Sequence, residues 1–408
     1  AGITVSPTDS VAYTYIYAKN SNLTYDKASP AGITKDKVIF INGTDTKTPP
    51  VTKITLGISS AINMAGNNSL AVYLKKGISA TNNGSIDLSG DKAVALYGEA
   101  GGALVNNNII KVGTNGVGIY NKGATTGENG ANGVITLNGD YGIGMRSENA
   151  TGNIENKGKI ESSKLRAVGM SSSNGSNAVT NSGIIELSGQ ESIGLHTDNN
   201  GIAGHAVTNN GTINVNGVDA NDEDKPNIGI YSEHSSDVIV NNGKIEAGKN
   251  TLGIYGKAGG NITLGASSET KVGDNGVAVF STGGDITIAN GAKLETGANN
   301  GVGVYYSGSN GTIINNTDKI TIGDKSFGFV IKGGTNNKFF SNSTGTVDLP
   351  DNSVYLYSAD TTGTASTVKN YTNLRTTGGE LAYGIYTNGG GENYGDMDMT
   401  QGKGHVGI

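Results

Sequence analysis

Residues 117–120 read Val117-Gly118-Ile119-Tyr120, and this unit decides the fold because variants of it recur thirteen times along the chain. Each copy has an apolar residue, a small residue, a second apolar residue and then, in most copies, an aromatic residue. Successive copies lie 23 to 35 residues apart, and most intervals are close to 25 residues. A repeat of this length is typical of stacked solenoid proteins. The fourth positions are Tyr73, Tyr97, Tyr120, Arg146, Ser171, His196, Tyr231, Tyr255, Phe280, Tyr305, Val330, Tyr357 and Tyr386.

The alternation within each unit predicts a β-strand with one buried face. We expect the two apolar residues to point into the core, and the small residue and the aromatic residue to point outward. Two further short apolar runs follow in each repeat, for example at residues 237–240 and 244–247. Three short strands per repeat of about 25 residues predict an all-β fold, a parallel β-helix or solenoid. The apolar positions Ile119, Ile230, Ile254 and Val304 should then stack inside an elongated core.

An Asn column marks the turn before the third strand. Asn lies four residues before the inward residue of that strand in ten of the thirteen repeats. Asn tolerates the left-handed backbone of a sharp corner, and stacked amides can hydrogen-bond from coil to coil. A structural role is therefore favoured over binding. The ten residues are Asn82, Asn106, Asn156, Asn181, Asn209, Asn241, Asn290, Asn316, Asn370 and Asn393.

The chain divides by its pattern into two segments. Residues 1–60 contain four of the six prolines and no clean unit, although strand-like runs occur at 12–17, 38–41 and 53–56. We expect irregular coils or a small protruding element there, and a regular β-helix over residues 61–408. The last residues, Gly407-Ile408, match the Gly-apolar step of the unit. We therefore expect a fragment that is truncated within the next repeat.

Composition excludes several classes of function. The net charge of −6 gives no reason to expect nucleic acid as a partner. No apolar run approaches the roughly 20 residues of a membrane-spanning helix. Cysteine is absent, which excludes disulfides and thiolate metal sites.

Repeats such as residues 241–246, Asn-Asn-Gly-Lys-Ile-Glu, followed by Leu252-Gly253-Ile254-Tyr255, resemble the passenger repeats of large autotransporter adhesins. Within that class they are most similar to the giant outer-membrane adhesins of fusobacteria. The resemblance covers about residues 69–408. It implies a right-handed β-helix on a Gram-negative surface that binds host cells or other bacteria. The sequence includes neither a signal peptide nor a β-barrel translocator, so we expect membrane attachment only through a C-terminal barrel that is missing here.

Candidate catalytic residues are few. In register, Glu161 and Glu186 lie in neighbouring coils about 5 Å apart, a separation that retaining glycosidases use. The outward column that contains them alternates in the sign of its charges, and no further acidic residues converge on the pair. Solvent-exposed, catalytically silent carboxylates are therefore the favoured interpretation. His196 and His234 could approach each other, but the four histidines show no zinc-ligand spacing. We expect no enzyme activity, no metal and no cofactor.

Two candidate binding surfaces remain. Residues 217–227 carry most of the ten extra residues of the longest repeat, and their carboxylates could bind Ca²⁺, although an ordinary solvated acidic loop is favoured. The outward aromatic column could contact a sugar or a protein, or could only shield the sheet. The acidic candidates are Asp219, Asp222, Glu223 and Asp224. The aromatic candidates are Tyr231, Tyr255, Phe280 and Tyr305, with Gly229, Gly253, Ala278 and Gly303 expected beside them as an outward floor.

The sequence therefore predicts a non-enzymatic cell-surface adhesin fragment. Its partner would be a protein or glycan receptor on a host cell or bacterium, and its location extracellular, anchored in the outer membrane in the full-length protein. A polysaccharide-processing β-helix enzyme and a pure structural spacer stay open as alternatives.

Overall fold

The computed structural model describes residues 13–50, 52–199, 205–217, 225–359 and 367–408. These residues form β-strands joined by turns and contain no helix, so no helix of the described chain is long and apolar enough to cross a membrane. The chain packs as two compact units, Ala1–His205 and Ala206–Ile408. Both are parallel β-solenoids, with about 15 coils in total and roughly 25 residues per coil. The predicted fold class is confirmed, while its right-handed winding stays a prediction.

Each coil contributes one strand to each of three parallel sheets, and equivalent strands of successive coils pair within a sheet. In unit 1, sheet 1 contains Tyr13–Lys19, Val38–Thr44, Leu70–Leu74, Val94–Gly98, Val117–Gly123, Ile143–Ala150, Val168–Ser173 and Ile193–Asp198. Sheet 2 contains Leu23–Tyr25, Lys53–Leu56, Ser79–Asn82, Ala103–Asn106, Thr126–Asn129, Ile154–Asn156 and Val179–Asn181. Sheet 3 contains Ala61–Met64, Ser85–Leu88, Ile109–Val112, Val134–Leu137, Lys159–Ser162 and Ile184–Leu187.

Unit 2 repeats the arrangement. Its sheet 1 contains Ile228–Ser232, Leu252–Gly256, Val277–Ser281, Val302–Tyr306, Phe327–Lys332, Val354–Ala359 and Tyr383–Thr387. Sheet 2 contains His205–Asn209, which starts at the boundary, and Asp237–Asn241, Asn261–Leu264, Ile286–Ile288, Thr312–Asn315, Lys338–Ser341, Thr367–Asn370 and Gly390–Asn393. Sheet 3 contains Thr212–Val215, Lys244–Ala247, Glu269–Val272, Lys293–Glu295 and Ile320–Thr321. A separate three-stranded sheet follows, with Thr346–Leu349, Asn373–Thr376 and Met397–Asp398.

The core lies between the three sheets of each unit, where inward side chains of successive coils stack. Ile230 pairs in register with Ile254, and the column continues through Val279 to Val304. These side chains are almost completely buried, as is Ile119 between Leu96 and Met145 in unit 1. The predicted apolar column is confirmed. Burial of this apolar surface is the main driving force for folding.

The prediction that the small residue of each unit points outward is wrong, and so is the prediction that the first apolar residue points inward, because in most units that first residue, such as Leu70 or Leu252, is only partly buried. In most sheet 1 strands the second and third residues of the unit are both buried, which breaks the alternation once, as a β-bulge does. A Cβ on Gly118 would lie only 2.6 Å from the Gly144 carbonyl oxygen and 2.8 Å from Cγ2 of Ile135 in sheet 3. The small residue is therefore required by close packing inside the core. Tyr355, the exception, is fully buried and its hydroxyl lies 2.7 Å from Ser341 Oγ.

The predicted Asn column forms a hydrogen-bonded ladder inside the core. In unit 1 each side-chain amide donates to the next amide oxygen at 2.8 Å, from Asn82 through Asn106, Asn129 and Asn156 to Asn181. Asn290 and Asn316 do not belong to the ladder. Ile288 and Asn315 occupy the equivalent inward positions of sheet 2 in those coils.

The left-handed backbone lies at a different corner, two residues before every sheet 1 unit except the one that starts at Ile228. There Asn115, Tyr141, Arg166 and Asn275 all have φ between 51° and 60°. The ladder Asn residues have no such φ, so their predicted conformational role is wrong, whereas their predicted stacking is confirmed.

Candidate functional site

The aromatic column of unit 2 is a stacked ladder on the outer face of sheet 1, here called ladder 2. It consists of Tyr231, Tyr255, Phe280 and Tyr305, which pair in register in four consecutive coils. Neighbouring ring centroids lie 5.3, 4.9 and 5.1 Å apart, with interplanar angles of 19°, 43° and 45°. All four side chains are half-buried. The structure thus brings together the aromatic residues that the sequence predicted.

Ring stacking decides which parts of ladder 2 a partner can touch. Each inner ring has a neighbouring ring on both sides, at centroid distances of 4.9–5.3 Å that leave no room for a sugar ring between them. The ring edges and the hydroxyl groups face outward. A sugar ring that stacks on an aromatic side chain needs an open ring face, so ladder 2 is suited to edge contacts instead.

The flanks of ladder 2 carry little charge beyond its first two coils. On one side lie the first residues of each unit, Leu252, Val277 and Val302, which are half-exposed. The predicted floor of Gly229, Gly253, Ala278 and Gly303 is instead buried, because these positions face sheet 3. On the other side, Lys257 pairs with Glu233 at 3.5 Å, and the next coils carry Thr282 and Ser307.

The hydroxyl groups of Tyr255 and Tyr305 make no side-chain hydrogen bond within the described residues. Phe280, which has no hydroxyl, occupies the same column between them. The stacking itself therefore does not need these hydroxyls, and they remain available to a partner.

Unit 1 carries a second ladder in the equivalent column, here called ladder 1, formed by Tyr73, Tyr97 and Tyr120. The ring centroids lie 5.3 and 4.8 Å apart. Its polar atoms are engaged: the Tyr120 hydroxyl donates to Glu148, and the Tyr97 hydroxyl donates to Glu99 at 3.4 Å. Burial, followed by the charge of Glu99, raises the pKa of Tyr97 to about 12.

Cations cover parts of ladder 1. Arg146 continues the column, with its guanidinium 5.3 Å from the Tyr120 ring centroid and 3.0 Å from Glu148. Lys122 Nζ lies 5.6 Å from the same ring. The hydrogen bond from Tyr120, together with Arg146 and Lys122, lowers the pKa of Glu148 despite its partial burial. Sequence reasoning missed this cluster, although the column Lys75, Glu99, Lys122, Glu148 alternates in sign two residues after each ring.

Glu161 and Glu186 pair in register on the outer face of sheet 3, as predicted. Lys159 lies between them, with Nζ 2.7 Å from Glu161 Oε2 and 2.8 Å from Glu186 Oε2. This hydrogen bond from Lys159 lowers the pKa of Glu161. The two carboxylates thus share one ammonium group.

The remaining candidates give no assembled site in the described part of the chain. His196 Nδ1 lies 3.2 Å from Ser171 Oγ in the next coil. No group of three or more His, Asp or Glu side chains among the described residues could hold a metal ion. Asp219, Asp222, Glu223 and Asp224 lie outside the described residues, and at the described ends of their segment Asn227 donates to the Gly217 carbonyl.

No protein-family profile, curated protein or solved structure matches the chain. The fold and the geometry of the two ladders are therefore the basis for a functional proposal.

Proposed function

We propose that the chain is part of a non-enzymatic cell-surface adhesin that presents ladder 2 to a partner on a host cell or another bacterium. The protein would be extracellular and anchored in the outer membrane of a Gram-negative cell. Support comes from the parallel β-solenoid fold, which fits the resemblance of its repeats to autotransporter passenger repeats.

The observation that carries the proposal is the difference between the two ladders. Tyr255 and Tyr305 offer unengaged hydroxyls on rigid, half-exposed rings, beside the apolar side chains of Val277 and Val302. Aromatic residues held in place by a rigid scaffold are the usual anchors of binding surfaces, and they lose little conformational entropy on binding. Because the ring faces are covered, a flat protein surface fits ladder 2 better than stacked sugar rings.

The carboxylate pair argues against the enzymatic alternative. A glycosidase needs one carboxylic acid whose pKa is raised so that it can donate a proton. Lys159 has the opposite effect on Glu161. Glu161 and Glu186 both accept hydrogen bonds from Lys159, and this arrangement does not favour Glu161 as the proton donor.

A structural spacer is the second candidate, and the stacking within ladder 2 favours it. Each ring pair contributes about 0.5–1.5 kcal/mol beyond its buried area, so the ladder can exist for stability alone. In that case a contact surface would lie elsewhere.

An attachment assay with matched double variants separates the two candidates. Tyr255→Ser with Tyr305→Ser changes ladder 2, and Tyr73→Ser with Tyr97→Ser makes the same change in ladder 1. Both variants should lose stability, by about 1–3 kcal/mol each. We expect beads coated with the ladder 2 variant to lose binding to host epithelial cells and partner bacteria, whereas the ladder 1 variant keeps it. Equal attachment by both variants and the wild type would contradict the proposal that ladder 2 is an adhesive surface.

A further inference from the structure

A groove runs along the outer face of sheet 3 in unit 1, separate from both ladders. Two cavities of about 390 and 160 Å³ share Asn138 and together span the coils from Asp87 to Ser188. The larger cavity lies against Thr136, Lys159, Glu161 and Ser188. Cavities of several hundred Å³ are large enough for ligands of one or a few sugar units.

The strand geometry explains why a groove forms there. Thr136, Glu161 and Glu186 form one outward column, and Asn138, Ser163 and Ser188 follow two residues later in the next outward column. The residues between the columns, such as Leu137 and Leu187, point into the core and add no side chain to the surface. A channel parallel to the stacking direction of the coils is left between the two columns.

The lining of the larger cavity is polar and balanced in charge. Lys159 and Lys164 offset Glu161 and Glu186, and Lys159 bridges the two carboxylates at 2.7 and 2.8 Å. Thr136 donates a hydrogen bond to Glu161 Oε1 at 3.1 Å. The groove therefore offers acceptors, donors and hydroxyl groups. Its larger cavity has two lysines against two glutamates and so no net charge that would attract an ionic ligand, and the smaller cavity adds the single carboxylate of Asp87.

We propose that this groove binds a linear, uncharged polysaccharide that lies across successive coils. Sugar hydroxyls donate and accept hydrogen bonds. In the groove carboxylates accept, ammonium groups donate, and amides and serine hydroxyls do both. A peptide is less suited, because the groove presents no apolar pocket for an anchor side chain and lies on the face of a sheet whose strands are paired on both sides. Lys159 and Thr136 hold the Glu161 carboxylate in place, so it is positioned as a hydrogen-bond acceptor for a sugar hydroxyl.

The test uses the full chain and neutral cello- and chito-oligosaccharides long enough to cross the groove, titrated by isothermal calorimetry. Ser163 is exposed, so Ser163→Trp should fill the groove without disturbing the core, and binding should be lost. Glu161→Gln with Glu186→Gln should weaken binding by about tenfold or more, since charge-assisted hydrogen bonds are lost. The matched control is Glu246→Gln with Glu295→Gln, which makes the same change in the equivalent column of unit 2 and should leave affinity unchanged.

Three results would overturn the proposal: no binding of either neutral oligosaccharide, equal affinity in the wild type and Ser163→Trp, or preferential binding of an acidic oligogalacturonate or an extended peptide. The groove is independent of ladder 2. Tyr255→Ser with Tyr305→Ser should therefore keep oligosaccharide affinity even where cell attachment is lost.

Discussion

Ladder 1 and ladder 2 share one backbone arrangement but differ in how their polar atoms are used. In ladder 1 the Tyr120 hydroxyl is bound to Glu148, and Arg146 lies against the Tyr120 ring. In ladder 2 the hydroxyls of Tyr255 and Tyr305 have no side-chain partner among the described residues. The same register thus supports two chemistries, because in a solenoid the outward positions can vary while the inward positions preserve the fold.

The largest effect should come from the core, where the two units do not differ. Ile119→Asp in unit 1 and Ile254→Asp in unit 2 each place an unpaired charge at a fully buried position. Each substitution should lower the free energy of unfolding by about 4 kcal/mol or more. Coils contact mainly their neighbours, so hydrogen exchange should show lost amide protection in the unit that carries the change. Equal loss through both units would show that they unfold as one, and no loss would contradict the assigned core.

The next largest effect should come from the buried Asn ladder. Asn156→Leu removes two amide–amide bonds of 2.8 Å, to Asn129 and Asn181, and should cost about 2–3 kcal/mol. In unit 2, Asn241 accepts a hydrogen bond from Asn209 at 2.8 Å and donates to Thr270 Oγ1 at 3.1 Å, since the apolar Leu264 occupies the next position of the column. Asn241→Leu therefore removes one amide–amide bond instead of two and should cost less than Asn156→Leu. Urea unfolding of both variants measures the difference. Equal costs would mean that the amide ladder contributes no more than its packing.

A smaller effect on stability should distinguish the charged residues beside ladder 1 from those beside ladder 2. The pKa of Glu148 lies below its ordinary value of 4.5, so Glu148 contributes stability that is present above that value and is lost as the pH falls through the lowered pKa. Glu148→Gln should lower the free energy of unfolding by about 1 kcal/mol at neutral pH. It should also make the loss of stability on acidification smaller than in the wild type. Glu233→Gln in unit 2 should cost less, because the ion pair of Glu233 with Lys257 is 3.5 Å long and exposed. Thermal unfolding between pH 3 and pH 7 checks both, with the pH range chosen around the ordinary carboxyl pKa of about 4. If Glu148→Gln lost as much stability on acidification as the wild type, Glu148 would not be the source of this pH dependence.

Much of the fold was predictable, because a repeat near 25 residues sets coil length and register together. Within each unit the fourth positions fall in one column, as the pairing of Tyr97 with Tyr120 in unit 1 and of Tyr357 with Tyr386 in unit 2 illustrates. The direction of the small residue was not predictable from alternation. Two successive inward residues, Gly118 and Ile119, shift the pattern by one, and periodicity alone does not show where such a break lies.

Only those features of the candidate site that follow from the register of the repeats were predictable from the sequence. The stacking of Tyr255 on Phe280 follows from the repeat. The engagement of Tyr120 by Glu148 depends on side-chain conformations in two coils, and the groove depends on which outward residues are small. Reading every outward column in register, and not only the aromatic and acidic columns, would have shown the alternating charges beside ladder 1.

The most direct test of the contrast between the ladders is removal of one hydroxyl from each. Tyr120→Phe deletes the hydrogen bond to Glu148 and should lower the free energy of unfolding by about 1 kcal/mol. Tyr305→Phe deletes a hydroxyl without a side-chain partner in the described chain, and Phe280 shows that the column accepts Phe, so stability should stay within about 0.3 kcal/mol of the wild type. Urea unfolding under identical conditions gives both values. Equal losses in the two variants, or a larger loss in Tyr305→Phe, would contradict the account.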